Sequence, residues 1–141
     1  MNESPRSFTV ESANATLPLV SRIVDDLMRL HPAWRQAVTA FELAQDAAAN
    51  APESPAARAA RLEAGRLAGE IEACMEELEQ VGCLFRGFEL GLVDFPAYRD
   101  GEEVFLCWHH GETEVAHWHD RTAGFPGRQP IDAAFAARGE S

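Results

Sequence analysis

The chain has 141 residues, 46% of them hydrophobic, which is enough to bury the core of one globular domain spanning residues 1–141. Its 12 arginines, with no lysine, are outnumbered by 23 acidic residues, and the formal net charge is -11. No basic patch or basic helix face is present. Binding to nucleic acid and to an anionic membrane surface are therefore both disfavoured.

The three cysteines, Cys74, Cys83 and Cys107, show no C-x-x-C spacing. An odd number without such pairs argues against a disulfide framework and against a structural zinc knuckle. Met1–Phe8 has no apolar signal-peptide core, and no apolar run approaches membrane-spanning length. We therefore expect a soluble, cytoplasmic protein of bacterial type.

The first predicted element is a long helix that opens within Phe8–Asn14, with Thr9 as its N-cap. Pro18 either starts a new helix or kinks this one. Apolar residues then recur in steps of three and four, as in a coiled coil, and keep their phase across Pro32, which predicts a kink and not a break. This seam consists of Val20, Ile23, Leu27, Leu30, Trp34, Ala37, Phe41 and Ala44.

A second helix follows the predicted loop Asn50–Ser54, with Ser54 as its N-cap and Pro55 at its first position. Gly82 is a natural C-terminal stop. Two long helices joined by a short loop should pack antiparallel as a hairpin over residues 10–82. The second seam consists of Ala60, Ala64, Leu67, Ile71, Cys74, Leu78 and Val81.

The C-terminal half reads as extended chain. Asp100-Gly101 is a strong signal for a two-residue hairpin turn, and Pro96 is expected to end the strand before it. Residues 123–130 form a predicted loop, and 131–141 a short helix or a loose tail. Candidate strands lie at 83–90, 91–95, 103–109 and 114–119.

These elements predict an α+β fold. A long antiparallel helical hairpin, 10–82, is followed by a small antiparallel β-meander, 83–120, and then by a loop and C-terminal tail, 121–141. Side chains that ligate metals, move protons and stack on ligands concentrate in residues 105–120, which hold four of the five histidines and two of the three tryptophans. The segment is therefore the best candidate for a site.

One hypothesis is a site for a divalent transition metal, zinc or iron. A three-residue turn, His110–Glu112, would set all four candidate ligands on one sheet face, whereas a two-residue turn at Gly111–Glu112 or a four-residue turn over 110–113 would divide them. Even-length turns are commoner, so we favour no bound cofactor and histidines on a half-solvated face. The candidate ligands are Cys107, His109, His117 and His119.

A second hypothesis is a ligand pocket near residues 105–128. Arg128 lies in a glycine-flanked loop and can form a bidentate pair with a carboxylate or phosphate. With a carboxylate and an imidazole it could support general acid–base chemistry, or it could lock the loop to the sheet through an Arg–Glu or Arg–Asp pair, which we favour. The candidate ligand-binding residues are Asp94, Trp108, Glu112, Trp118, His119 and Arg128.

Several short motifs along the chain form a specific set: Phe8-Thr9, Ala13-Asn14, Leu17-Pro18, Gly91–Pro96, Leu106–Trp108, Gly111-Glu112, Trp118-His119 and Gly124–Arg128. Together they resemble an uncharacterised bacterial family, domain of unknown function 2203, over most of the chain. The resemblance implies a shared fold and a role for Asp94, Cys107, Glu112, His119 and Arg128, but no activity. The family pattern does not regularly place histidine at 109, 110 and 117.

The leading functional prediction is a non-catalytic module that binds a ligand or a protein. The alternative is a metal-binding protein or a metal-dependent enzyme that uses the cluster at 107–119. Trp34 and Phe41 enlarge the helical seam beyond what one partner helix needs, so we expect a homodimer or another protein partner. Gly65 and Gly69 either allow close approach of a second subunit or lie on an exposed face.

Overall fold

A computed structural model describes residues 7–47 and 51–138. Predictions that concern Met1–Arg6, Asn50 or residues 139–141 lie outside these ranges. The described chain confirms the α+β prediction of a helical hairpin followed by an antiparallel meander. Its elements are α1 (Val10–Ala47), α2 (Pro55–Val81), β1 (Leu84–Gly87), β2 (Leu92–Arg99), β3 (Glu102–His109), β4 (His117–Asp120), a 3-10 turn (Phe125–Gly127), β5 (Gln129–Pro130) and α3 (Ala133–Arg138).

Helix α1 begins at a reciprocal cap. The Ser12 backbone N–H donates to Thr9 Oγ1 and the Thr9 N–H donates to Ser12 Oγ, each at 2.9 Å, so the predicted N-cap is confirmed. The helix runs through Pro18 and Pro32 without ending, and Pro18 starts no new helix. Each proline removes one helical hydrogen bond, and burial of the seam on both sides keeps the helix continuous.

Helix α2 also has the predicted ends. Ser54 Oγ accepts a hydrogen bond of 3.0 Å from the Ala57 N–H, and the Gly82 N–H donates to the Leu78 carbonyl at 3.1 Å. The two helices pack against each other, and the residues buried together between them, Leu30, Ala37 and Leu67, belong to the predicted seams. No helix within 7–47 or 51–138 has the length and apolar character needed to cross a bilayer.

The sheet is a five-stranded antiparallel meander in the order β1-β2-β3-β4-β5. Asp100 and Gly101 both have positive φ, 54° and 81°, so the predicted turn between β2 and β3 is a type I′ turn. The prediction that Pro96 ends its strand was wrong. β1 pairs with β2 only as far as Asp94, so Pro96 lies on an edge where a missing N–H is tolerated, and its carbonyl accepts from the Phe8 N–H at 2.7 Å.

The C-terminal segment contains a strand that was not predicted and the short helix that was one of the two alternatives for residues 131–141. Gln129–Pro130, predicted as loop, forms β5 and pairs with β4. The following helix α3 begins after Asp132, whose Oδ1 accepts from the Phe135 N–H at 2.7 Å. Phe135 is only 5% exposed and packs edge-on against Trp118. The start of the predicted tail is therefore part of the core.

The two faces of the sheet differ in chemistry. The inner face packs against the α1 seam through buried Val93, Phe95, Leu106 and Trp108. Because side chains alternate along a strand, the intervening residues of β2, β3 and β4 point to the other side. This outer face carries the polar and ligating residues of the candidate site.

Candidate functional site

Four candidate metal ligands share the outer face because β4 pairs with β3 in an unexpected register. Cys107 lies opposite His117, and Phe105 lies opposite His119. None of the three turn lengths considered from the sequence is correct, since a seven-residue connection, 110–116, joins the strands. Its odd length sets the residues on one face, as the three-residue turn would have done.

The connection is long because helix α1 holds it. Val115 donates its backbone N–H to Asn14 Oδ1 at 2.8 Å and accepts from Asn14 Nδ2 at 3.3 Å. The Asn14 amide thus takes the hydrogen bonds that a strand partner would have made. Residues 114–116, predicted as strand, are consequently outside β4.

Although the four candidate ligands share this face, they belong to two separate clusters. The first cluster contains Asp94 on β2, Cys107 on β3 and His119 on β4. One ligand atom from each lies within 4.8 Å of the other two. His109 and His117 belong to the second cluster, around Glu112.

The first cluster is buried and closely hydrogen-bonded. Asp94 and His119 have side chains that are each only 4% exposed, and Asp94 Oδ1 lies 3.1 Å from His119 Nε2. Arg86, on β1, donates its Nε–H to Asp94 Oδ2 at 3.0 Å. Both carboxylate oxygens of Asp94 are therefore satisfied, as a buried carboxylate requires.

The position of protons in this cluster follows from its hydrogen bonds. His119 Nδ1 lies 2.7 Å from the Asp120 carbonyl, which can only accept, so Nδ1 carries a hydrogen. Nε2 faces a carboxylate oxygen. A hydrogen bond between Nε2 and Asp94 Oδ1 needs one further hydrogen, which either the imidazole or the acid can carry.

Cys107 is the third member, and its thiol is fully buried. Burial raises the pKa of this thiol to about 11, although contact with Arg128, whose Nη1 lies 3.8 Å from Sγ, lowers it in part. The thiol form therefore dominates at neutral pH. This disfavours Cys107 as a free nucleophile, because the thiolate is the reactive form.

The second cluster is an ion pair between Glu112 and Arg128. Arg128 donates from Nη2 and Nη1 to the two Glu112 oxygens at 2.5 and 3.3 Å, and the His109 N–H donates to Glu112 Oε1 at 2.9 Å. Burial acts to raise the pKa of Glu112, but these partners outweigh it and hold the pKa below its ordinary value. The predicted Arg–Glu pair is present, and it joins the loop that carries Arg128 to the connection 110–116.

Two histidines flank Glu112 without bonding it. His109 Nε2 and His117 Nδ1 lie 3.7 and 3.8 Å from Glu112 Oε2, and His117 Nδ1 is buried without a hydrogen-bond partner. Arg128 occupies the same carboxylate at much shorter distance. This cluster is therefore less suited to a metal ion than the first.

The two predicted tryptophans lie on the inner side of the sheet, behind the side chains of both clusters. Trp108 is 1% exposed on the inner face and donates its indole N–H to the Glu112 carbonyl at 2.9 Å. Trp118 lies against Phe135 and under the Arg99 guanidinium, 4.8 Å from its ring centroid. Both rings support the site from the core side.

Sequence reasoning missed two residues that border the first cluster. Arg86 holds Asp94, and its guanidinium lies 5.2 Å from the centroid of the Phe105 ring, which is itself 5.5 Å from the His119 ring. The signal in the sequence for Arg86 was that it is the one arginine in the predicted strand 83–90. The register shift between Phe85 and Gly87 concealed its facing residue.

A cavity of about 300 Å³ opens beside Phe105. None of the predicted ligand-binding or metal residues lines it. Its walls are mostly apolar, with one charged pair, Arg121 and Glu103, at 3.5 Å. The apolar lining includes Leu84, Pro96, Ala97, Tyr98, Val104 and Phe105.

No curated protein and no solved structure matches this chain. A family model described as an uncharacterised conserved protein, DUF2203, matches residues 6–131. The match covers the hairpin, the sheet and every residue of both clusters. The chain therefore belongs to the DUF2203 family of uncharacterised conserved proteins.

Proposed function

We propose that this is a non-catalytic metal-binding protein in which Asp94, Cys107 and His119 hold one divalent transition-metal ion. The supporting observation is that three adjacent strands each supply one buried ligand atom, all within 4.8 Å. Ligands of one tetrahedral zinc ion lie roughly 3.3–3.8 Å apart. The three side chains would therefore need only small movements to close on an ion.

The outer hydrogen bonds also suit a metal site. Metal-binding histidines usually donate their second N–H to a carbonyl or carboxylate, and His119 does so to the Asp120 carbonyl. That bond fixes the ring with Nε2 toward Asp94 and Cys107. Arg86 similarly holds the Asp94 oxygen that faces away from His119.

Charge balance supports the same proposal. A divalent ion that replaced the proton shared by Asp94 and His119, together with the Cys107 thiol proton, would leave the formal charge of the cluster unchanged. Burying additional net charge would carry a large desolvation cost. The imidazole, thiolate and carboxylate together fit zinc or iron better than magnesium or calcium.

A binding role is supported over a catalytic one by the burial of the cluster. The Asp94 and His119 side chains are 4% exposed, and Cys107 is fully buried. A catalytic ion must keep a position open for substrate. The cavity beside Phe105 does not include any of the three proposed ligands in its lining.

Elemental analysis of untagged protein, purified without chelator, tests the proposal. We expect about one zinc or iron per chain, lost in Cys107→Ser and in His119→Ala. His117→Ala is the matched control, because His117 lies on the same sheet face directly opposite Cys107 but belongs to the other cluster. It should retain the metal.

Two results would contradict the metal proposal. One is wild-type protein that holds no transition metal and gains none on incubation with zinc followed by desalting. The other is metal that survives in His119→Ala but is lost in His117→Ala, which would point to the cluster around Glu112 instead.

A second candidate is a small-molecule binding module, favoured by the cavity beside Phe105. Apolar walls and few polar groups are typical of ligand pockets. Binding of a fluorescent hydrophobic dye would test it, with Phe105→Ala expected to weaken binding and Phe125→Ala as the control outside the cavity. Equal binding by both variants would exclude this cavity as the dye site.

The cellular setting belongs to the same proposal. Three free cysteines, two of them buried, suit a reducing cytoplasm. We further propose that the protein is bacterial and homodimeric, and that the two helical seams within each chain pack against each other as a coiled coil. Fractionation of cells and the mass of the protein in solution would test these statements.

A further inference from the structure

We propose that the second cluster is an entry site, where His109, Glu112 and His117 capture a divalent transition-metal ion before it reaches the first cluster. This inference rests on the metal site proposed above, because it describes how an ion arrives there. The first cluster is closed to solvent, since its three residues are at most 4% exposed. An ion must therefore cross a more exposed part of the protein first.

The second cluster lies next to the first and closer to solvent. The side chains of His109, Glu112 and His117 are 28%, 18% and 29% exposed. Cys107 and His117 lie directly opposite each other on β3 and β4, and such cross-strand neighbours have Cβ atoms roughly 5 Å apart. An ion that leaves the second cluster therefore has only a short distance to travel to Cys107 Sγ.

Both imidazoles of the second cluster turn a nitrogen toward the Glu112 carboxylate. His109 Nδ1 lies 2.9 Å from the His110 carbonyl and so carries a hydrogen, which leaves Nε2 of the neutral ring with a lone pair. This Nε2 lies 3.7 Å from Glu112 Oε2. His117 Nδ1, 3.8 Å from the same oxygen, is buried without a hydrogen-bond partner among the described residues. Two imidazole nitrogens and a carboxylate oxygen suit zinc and iron.

The second cluster holds an ion only weakly. Within the part of the chain that the structure describes, only the first cluster brings three potential ligand atoms within 4.8 Å of one another, so the second must contract further around an ion. Arg128 also competes with the ion, because its Nη2 lies 2.5 Å from Glu112 Oε2. Weak binding is what an entry site requires, since an ion held tightly there does not move on.

Arg128 links capture to transfer because it contacts both clusters. Its Nη2 bonds Glu112, and its Nη1 lies 3.8 Å from Cys107 Sγ. A divalent ion has the same sign of charge as the guanidinium, so an ion that binds Glu112 displaces Arg128 from the carboxylate. The same movement takes the guanidinium away from Cys107 Sγ, and the captured ion can then reach the sulfur.

Stopped-flow measurement of zinc loading tests the proposal. Apoprotein is mixed with zinc, and a zinc-sensitive dye reports the ion that remains free. His109→Ala with His117→Ala should slow loading by at least ~10-fold, because a site that concentrates an ion raises its rate of arrival. The zinc content at equilibrium should remain about one ion per chain, because the first cluster keeps its ligands.

His110→Ala is the matched control. His110 follows His109 directly but turns to helix α1, where its Nε2 lies 2.6 Å from Asp25 Oδ1, so its loss should leave the loading rate unchanged. A second variant, His109→Gln with His117→Gln, keeps polar side chains of similar size and should load as slowly as the alanine pair. The wild-type rate should level off at high zinc because capture precedes transfer, whereas the rates of both variant pairs should keep rising.

The outcomes separate the entry site from the metal site on which it rests. Slow loading of both variant pairs with unchanged zinc content supports both sites. Loading of the variant pairs at the wild-type rate, or equal slowing in His110→Ala, overturns the entry site alone. Wild type that takes up no zinc, or variant pairs that lose zinc while His119→Ala retains it, overturns both sites together.

Discussion

Replacement of Glu112 by glutamine tests whether the ion pair on the outer face stabilises the fold. The substitution keeps the shape of the side chain but removes the charge that Arg128 faces, leaving a guanidinium that is only 15% exposed without its partner. The contribution of a half-buried ion pair to stability is intermediate. Exposed pairs contribute less than about 1 kcal/mol, and breaking a fully buried pair costs about 3–5 kcal/mol. We expect Glu112→Gln to lower the free energy of unfolding by about 2–3 kcal/mol at pH 7.

The effect should depend on pH in a definite direction. The partners of Glu112 lower its pKa in the folded state, so its carboxylate contributes stability above the ordinary value of 4.5. This contribution is lost as the pH falls through the folded-state pKa. The difference between wild type and Glu112→Gln should therefore be largest at neutral pH and shrink as the pH falls below 4.5.

Urea denaturation followed by circular dichroism measures the difference. Glu53→Gln is the matched control, because Glu53 forms a similar bidentate pair with Arg61, at 2.8 and 3.0 Å, on an exposed part of the hairpin. Its effect should be much smaller. Equal effects in both variants, or a Glu112→Gln difference that grows on acidification, would refute the reasoning.

Three further predictions concern single side chains. Gly91→Ala should lower the free energy of unfolding, measured in urea, by at least about 2 kcal/mol, because φ at Gly91 is +62° and a Cβ would lie 2.7 Å from a neighbouring side-chain carbon. Gly69→Ala is the control: its Cβ would meet no atom within 4 Å, and the free energy of unfolding should rise by up to about 1 kcal/mol. Trp108→Phe should cost about 1–2 kcal/mol through its lost hydrogen bond and ring volume, again measured in urea. In the folded protein, iodoacetamide should label the partly exposed Cys74 before the buried Cys107, whose pKa is raised. Peptide mass spectrometry measures the order, and labelling of Cys107 first would contradict the prediction.

The helical half of the fold could be predicted because its signals are local. Spacing of three and four residues located both seams, and Ser54 and Gly82 set the ends of the second helix. Asp100-Gly101 likewise identified its turn, because both residues tolerate positive φ. Each of these signals lies within a few residues of the feature it determines.

The site could be predicted only in part because its register depends on distant contacts. Asn14 holds Val115 across 101 residues of sequence and so lengthens the connection before β4. No local pattern in 110–116 reveals that contact. The sequence therefore located Asp94, Cys107 and His119 without showing that these three, and not the four clustered Cys and His ligands, meet.

The continuation of the strand through Pro96 has a similar origin. Proline normally ends a strand because it lacks an N–H, but here the neighbouring strand has already ended and Phe8 bonds the Pro96 carbonyl instead. The edge arises because β1 begins only at Leu84, opposite Asp94, shortly after helix α2 ends at Val81. The position of β2 in the sheet, and not the local tendency of proline to end a strand, determined the outcome.

Anomalous diffraction from crystals grown with zinc, recorded on both sides of the zinc absorption edge, tests the proposed metal site most directly. We expect one peak about 2.0–2.3 Å from Asp94 Oδ1, Cys107 Sγ and His119 Nε2. A map without a peak there, or with zinc bound only between His109, Glu112 and His117, would contradict it.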